Sequence, residues 1–362
     1  MQYNVIGLMS GSSLDGLDIA FVHFEETAGK WQFEIQAAEC IPYTAEWKQN
    51  LAGLSAIGAE KYLLLHTAYG HWLGKCVNDF VEEKNLAYRV QLIASHGHTA
   101  FHLPARKMTA QLGDGAAIAA VTGIRTITDL RSTDIALGGQ GAPVVPIGEK
   151  LLFPDFDFFL NIGGIANISA NRDPFIGFDV CPANRILNLL AAETEKGYDE
   201  NGYVAASGKV DETVLRKLNA FGYYSKGYPK SLSNEFGLNE IYPVIEEANL
   251  SMSDALSTYT QHIADQVSDA LIHLLEDISG KENPRLLITG GGAHNRYLIS
   301  RLQEQVSPFG IECVIPAEQL INYKEALVIA LMGALRWRED INVMCSVTGA
   351  SRDSINGAVW SP

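Results

Sequence analysis

Basic residues are scarce in this chain: 27 Lys and Arg stand against 42 Asp and Glu, giving a formal charge of −15. A surface with that balance repels nucleic acid and anionic membrane, so a bound anion must be held locally. The five cysteines (Cys40, Cys76, Cys181, Cys313 and Cys345) are scattered and form no CxxC pair. That argues against a disulfide framework and a zinc site, and a reducing cytoplasm fits it. No apolar stretch reaches the roughly 18 residues needed to span a bilayer, and the start, MQYNVIGLMSGSS, lacks a basic segment leading into an apolar one. A cytoplasmic globular protein with no membrane or nucleic-acid partner is expected. Its 362 residues, 47% hydrophobic and 19% charged, suffice for two domains with sizeable cores.

Residues 17–24 (LDIAFVHF) read as a strand, and apolar positions recur at helical spacing through 58–83. A strand at 89–94 then runs into Ser95-His96-Gly97-His98, followed by a small-residue helix over 113–122 and a strand at 125–128. The segment 138–146, GGQGAPVVP, is a hinge or linker candidate, since its glycines free the backbone and its prolines stiffen the far side. Beyond it a strand (156–162) enters Gly163-Gly164 and leaves as a second strand (165–169), with a third ending at Asp179. Helices are expected at 186–196, 211–221, 251–278 and 324–338, and a strand at 285–289 leads into Gly290-Gly291-Gly292. Strands alternating with helices imply an α/β protein, and strand, glycine loop, strand near the start of each half hints at a duplicated fold.

The opening loop, Ser10-Gly11-Ser12-Ser13-Leu14-Asp15-Gly16, carries no Lys and is followed by a strand, which excludes a P-loop and a Rossmann fingerprint. A tight hairpin with Asp15-Gly16 as its turn remains open beside a phosphate-binding loop. Two glycine hairpins and a strand-GGG-helix site together are what holding the β- and γ-phosphates of a nucleotide from two domains would require.

GLMSGSSLDGLDIA (7–20), ASHGHTAFH (94–102), QLGDGAAIAAVTGIRTITDLRSTDIALGGQGAPVVP (111–146), NIGGIANIS (161–169), GFDVCPANRILN (177–188), AASGKV (205–210), ITGGGAHNRYL (288–298) and SVTGAS (346–351) occur in that order. With them the whole chain resembles the anhydro-N-acetylmuramic acid kinases, of the actin-like sugar kinase and chaperone ATPase superfamily. The resemblance implies a two-domain actin-like (ribonuclease H-like) α/β fold with a cleft between the domains. Residues 1–137 would carry the phosphate loop and sugar contacts, and 138–362 the second phosphate loop, catalytic Asp and adenosine loop, the C-terminal tail being free to return to the first domain. It further implies that ATP, with Mg2+, phosphorylates 1,6-anhydro-N-acetylmuramic acid on O6 while water opens the anhydro ring. The product would be N-acetylmuramic acid 6-phosphate, recovered from the cell wall.

Carried over residue by residue, Gly11, Ser12, Ser13, Leu14, Asp15, Gly16 and Asp18 match the ATP phosphate loop. Gly163 and Gly164 form the second loop, and Gly290, Gly291, Gly292 and Asn295 stand on the adenosine side. Asp179 matches the catalytic base, its plainer alternative being a cap on the helix that starts near Ala183. Asp15, directly or through water, is the candidate for placing the metal. The spacing His96, His98, His102 invites a zinc reading, but without a partnering carboxylate or Cys it is set aside in favour of hydrogen bonding to sugar. His96, Asp129, Arg131, Gln140, Asn184 and Glu325 are the expected sugar contacts, Arg131 for the lactyl carboxylate. The chain departs from the family pattern at Val180, Cys181 and Ala183 and again at Leu232, Ser233 and Asn234. An actin-like kinase for a different amino or anhydro sugar therefore stays open, as does a non-catalytic nucleotide-driven module. Apolar positions on the C-terminal helices leave a homodimer open.

Overall fold

A computed structural model of the chain describes residues 1–11, 14–228, 230–277 and 282–362. Two compact units emerge: Met1–Phe153 with Tyr323–Pro362, and Pro154–Asn322. The division falls at 153/154 rather than 137/138, and the last forty or so residues belong to the first unit. Residues 138–146 are no linker, because a buried carboxylate ties them down. Asp134 accepts from the Gly141 N–H at 2.7 Å, and its backbone carbonyl accepts from the Gly139 N–H at 2.9 Å. The Gln140 N–H donates to the Thr348 carbonyl at 2.8 Å, fastening the same turn to the C-terminal segment.

The first unit is built on β1 (Gln2–Ser10), β2 (Gly16–Thr27), β3 (Lys30–Pro42), β4 (Leu92–Leu103), β5 (Met108–Leu112), β6 (Thr126–Thr128) and β12 (Ala358–Trp360). The second is built on β7 (Phe158–Ile162), β8 (Ile165–Ala170), β9 (Ile176–Pro182), β10 (Arg285–Thr289) and β11 (Glu312–Val314). The first sheet runs β12-β6-β4-β1-β2-β3 with β5 on β4, and the second β11-β10-β7-β8-β9. In each, three antiparallel strands in sequence are followed by two that join in parallel: β4 and β6 beside β1, β10 and β11 beside β7. The repeated strand, glycine loop, strand pattern thus marks a repeated topology.

Alternation along the strands decides which face packs on what. Ile6 and Leu8 of β1, with Ile19 and Phe21 of β2, are buried in one cluster with Tyr69, Leu73, Val77 and Phe80 of the helix Ala59–Glu83 and Ile118 of the helix Gly115–Thr122. Gly7 points the other way, against the helix Glu318–Arg338, where a Cβ would stand 1.9 Å from the Ala326 carbonyl oxygen. Farther along, a Cβ on Gly333 would meet the Ala94 side chain at 2.5 Å. The second unit gathers β7–β10 and the helices Met252–Asp277 and Arg296–Val306 around Phe158, Leu160, Ile168, Tyr259, Ile263, Val267, Leu271, Ile288 and Leu302.

Two elements run differently from the sequence reading. The strand expected at 89–94 is β4, which starts later and continues through His96, His98 and His102 to Leu103, because β5 pairs with it from His98 onward. The helix expected at 186–196 is only Asn184–Leu190. Replacing Gly7 by Ala should lower stability by about 1–3 kcal/mol, the usual cost of overpacking, since backbone rather than a movable side chain meets the new methyl. A urea midpoint equal to that of the unaltered chain would contradict this packing.

Candidate functional site

In the first unit the opening loop is the connection between β1 and β2, whose pairing ends at Ser10 opposite Leu17. Ser12 and Ser13 lie outside the described residues. Leu14 takes a left-handed φ of 60°, Asp15 is exposed, and the Asp15 carbonyl accepts from the Tyr43 N–H at 3.2 Å. Asp18 sits one strand from Cys40, with which it shares a side-chain hydrogen bond. Burial pushes the Asp18 carboxyl up, and the neighbouring Asp15 charge adds to the shift although the Cys40 bond opposes it. The same surroundings push the Cys40 thiol up to about 12, so it stays protonated. Glu325 belongs to the helix packed on β1. Its surface is open to solvent, yet the protein crowded round its carboxyl raises the pKa, with the Asp18 charge adding and Lys324 opposing. Lys324 itself is buried against Glu149, Nζ to Oε1 at 2.7 Å.

A cavity of about 280 Å3 in this unit is lined by Tyr62, His66, His96, Gln111, Asp129 and Trp360, among others. It brings together two expected sugar contacts, His96 and Asp129. Burial, the Arg131 charge and His98 drive the His96 imidazole down to about 4, against the bond its Nδ1–H donates to the Gly97 carbonyl, so the ring is neutral. Asp129 takes a left-handed φ of 57° and accepts from the Ser132 hydroxyl. Arg131 is 8% exposed and donates Nε–H to the Gly141 carbonyl at 2.6 Å and Nη1–H to the Thr99 hydroxyl at 3.2 Å, with His102 Nε2 at 3.4 Å from Nη2. Burial lowers its pKa to about 10, with the nearby Asp134 charge opposing, still far above neutrality. A buried cation with no carboxylate in direct contact, and with guanidinium donors to spare, is a ready partner for a carboxylate ligand. Gln140 has an exposed side chain on the turn that Asp134 organises.

In the second unit Asp179 lies within β9. Ala183, not Asp179, occupies the cap position of the following helix, with no side-chain bond there. One oxygen, Oδ2, accepts from the Leu232 N–H at 2.9 Å, and the Asp179 backbone carbonyl accepts from the Tyr223 hydroxyl at 2.6 Å. Burial raises the Asp179 carboxyl above the ordinary aspartate range, only partly offset by that N–H. A cavity of about 560 Å3 is lined by Tyr223, Lys226, Leu232, Glu235 and Phe236, among others. The sequence reading did not find Tyr223, and it named Leu232 only as a departure from the family pattern, since a tyrosine far along the chain and a backbone donor leave no local signal of their role.

The other glycine loops converge in this unit. Asn184 donates Nδ2–H to the Ile162 carbonyl at 3.0 Å, while its N–H donates to the Gly163 carbonyl, also at 3.0 Å. Gly290 has φ 81°, and a Cβ there would stand 2.6 Å from Asn161 Oδ1, so only glycine lets the loop after β10 approach the end of β7. Gly291 lies beside the Asn184 amide, and Gly292 against Ile162. Gly163, Gly164, Gly290, Gly291, Gly292 and Asn184 therefore form one patch at the carboxyl ends of two parallel strands, where α/β sheets collect ligands. Asn295 caps the helix Arg296–Val306, its Oδ1 accepting from the Leu298 N–H at 3.0 Å. The local geometry thus accounts for that oxygen without a ligand.

Because His96 is held near 4 in the folded chain and near 6.5 when unfolded, unfolding takes up a proton between those values. Its contribution to stability is complete above pH 6.5 and falls as pH drops toward 4, by up to about 1.4 kcal/mol per unit. Urea midpoints should therefore show the wild type losing its margin over His96→Gln between pH 7 and pH 4.5. A margin that does not change with pH would rule out a buried neutral ring.

Among solved structures, the activator of the 2-hydroxyisocaproyl-CoA dehydratase from Clostridium difficile with bound ADPNP aligns at a TM-score of 0.46 and 16% identity, covering 94% of this chain and 96% of that one. Curated relatives are nearer in sequence. An anhydro-N-acetylmuramic acid kinase of Coxiella burnetii is 34% identical over 371 residues, covering 98% of this chain and 96% of the relative. One of Shewanella woodyi is 33% identical over 375 residues, covering 98% of each. The family model described as anhydro-N-acetylmuramic acid kinase matches residues 3–362. This chain therefore belongs to the anhydro-N-acetylmuramic acid kinase family.

Proposed function

We propose that the chain uses ATP to phosphorylate O6 of 1,6-anhydro-N-acetylmuramic acid while a water molecule opens the anhydro ring. Family membership over residues 3–362 supports the activity, and the half-buried Asp179 carboxylate is the observation that carries the mechanism. Water is a poor nucleophile toward an anomeric carbon, and a carboxylate of raised basicity in a partly dry setting takes its proton as the bond forms. The water oxygen bonds to C1, the C1–O6 bond breaks, and O6 takes the γ-phosphoryl group as ADP departs. The sugar product is heavier by one water and one phosphoryl group.

Leu232 fixes one Asp179 oxygen through its N–H, leaving the other for the water. Arg131 holds the lactyl carboxylate, and the neutral His96 and the Asp129 carboxylate in the neighbouring cavity hydrogen-bond sugar hydroxyls. Gln140, Asn184 and Glu325 are assigned as further sugar contacts. The glycine patch around Gly163 and Gly290–Gly292 and the loop of Gly11, Leu14, Asp15 and Gly16 receive the nucleotide. The donor set suits a divalent cation bound chiefly by ATP. The described residues hold no group of three acidic, His or Cys ligands, but Asp15 and Asp18 are near enough for one charge to shift the other, and a cation would relieve that repulsion. Asp15 and Asp18 would hold Mg2+, which supplies neutralisation of the phosphate charge. ATP and the anhydro sugar are the partners, in the cytoplasm.

Asp179→Asn should lower kcat by about 10² or more, with little change in ATP affinity. Turnover near wild type, with a product of sugar mass plus one phosphoryl group and one water, would remove Asp179 from the role. Because the base must be ionised, kcat should fall as pH drops through its raised pKa, and the acidic limb should vanish in the Asn variant. Arg131→Met should raise the KM for the sugar by roughly 10- to 100-fold, reflecting a lost buried charge-assisted contact. An unchanged KM would assign the lactyl carboxylate elsewhere.

A further inference from the structure

We infer that Tyr43 clamps both ends of the connection between β1 and β2, fixing Ser10 and Asp15 where the nucleotide is received. The inference rests on the nucleotide reading above.

Tyr43 follows Pro42, the last residue of β3, and precedes Thr44, whose hydroxyl accepts the Trp47 N–H at 3.2 Å and caps the helix Ala45–Ala52. Its backbone is thus fixed between a strand end and a helix start. Through its N–H it holds the Asp15 carbonyl at 3.2 Å, at the far end of the loop. Through its hydroxyl it holds Ser10 Oγ at 2.6 Å, at the near end. One residue therefore holds both described ends of the connection, Ser10 and Asp15.

The hydroxyl is itself held in a buried chain. Ser10 Oγ is 2.9 Å from His98 Nδ1, and Tyr43 Oη is 2.7 Å from Tyr69 Oη. Ser10, His98, Tyr43 and Tyr69 are all 6% exposed or less, so each donor needs a partner within the protein. Tyr69 also hydrogen-bonds Ser10, so the three hydroxyls form one closed group beside the His98 imidazole, each with partners inside the protein. Buried chains of this kind polarise one another and specify a single geometry, and here the geometry specified is that of the loop's two ends. The Tyr43 ring, 5.4 Å from Trp72 between centroids, keeps the hydroxyl on target.

The test is calorimetric binding of the magnesium complex of AMPPNP, and separately of the anhydro sugar, to the full chain. Tyr43→Phe keeps the ring and the backbone N–H and removes only the hydroxyl. It should weaken AMPPNP binding about tenfold, as loss of one net hydrogen bond does, and leave sugar binding within about twofold. Ser10→Ala breaks the same chain at its middle and should match it, which keeps the test open if the tyrosine variant folds poorly. Combining Tyr43→Phe with His98→Leu should cost no more than the larger single change, since both act through one chain. AMPPNP affinity within twofold of wild type in both Tyr43→Phe and Ser10→Ala, parallel weakening of nucleotide and sugar, or additive losses in the double variant would each overturn the clamp. Wild-type protein that binds no AMPPNP would remove the nucleotide reading itself, and the clamp with it.

Discussion

The contact between Gly7 of β1 and the Ala326 carbonyl is the constraint on which the first unit turns. With no side chain between them, the helix Glu318–Arg338 lies directly on the central strand, and that contact is what enrols the end of the chain in a unit begun at Met1. Its chemical effect reaches the loop after β1. The helix carries Glu325 at a place where its carboxyl feels the charge of Asp18 on β2. A methyl group at position 7 would therefore disturb more than packing, since the spacing between two acidic groups is set by the same approach.

Most of the architecture was legible because the signals were local. β2, β7, β8, β10 and the long helices have runs of the right period bounded by glycine or polar turns. β3 was not legible: in KWQFEIQAAECIP its outward positions are mixed and its pairing with β2 spans twelve registered residues that only the folded chain brings together. β12 was missed for the same reason, as a three-residue strand is defined by its partner β6 rather than by its own pattern. The segment GGQGAPVVP misled because composition suggests freedom, whereas the buried Asp134 removes it.

The candidate site was legible where a residue type implies its chemistry and illegible where a backbone group does the work. Asp179, Arg131, His96 and Asp129 stand out as polar residues in or just after strands, and the structure places two of them, His96 and Asp129, around one cavity. The Leu232 N–H that orients Asp179, and the Tyr43 N–H on the Asp15 carbonyl, belong to residues whose names say nothing of donation. Asn295 shows the converse: a polar side chain at a suggestive position whose oxygen is committed to capping a helix.

The second unit is one uninterrupted stretch, Pro154–Asn322, enclosed within the sequence of the first. On a ribosome, where domains fold as units in order of emergence, the enclosed unit has all its strands before the enclosing one has its last. Until the helix Glu318–Arg338 and β12 emerge, the face of β1 that bears Gly7 and the edge of β6 stay uncovered. Synthesis therefore leaves the first sheet short of its last strand and covering helix while the second unit is already complete, and this interval is when the nascent chain would most need a chaperone.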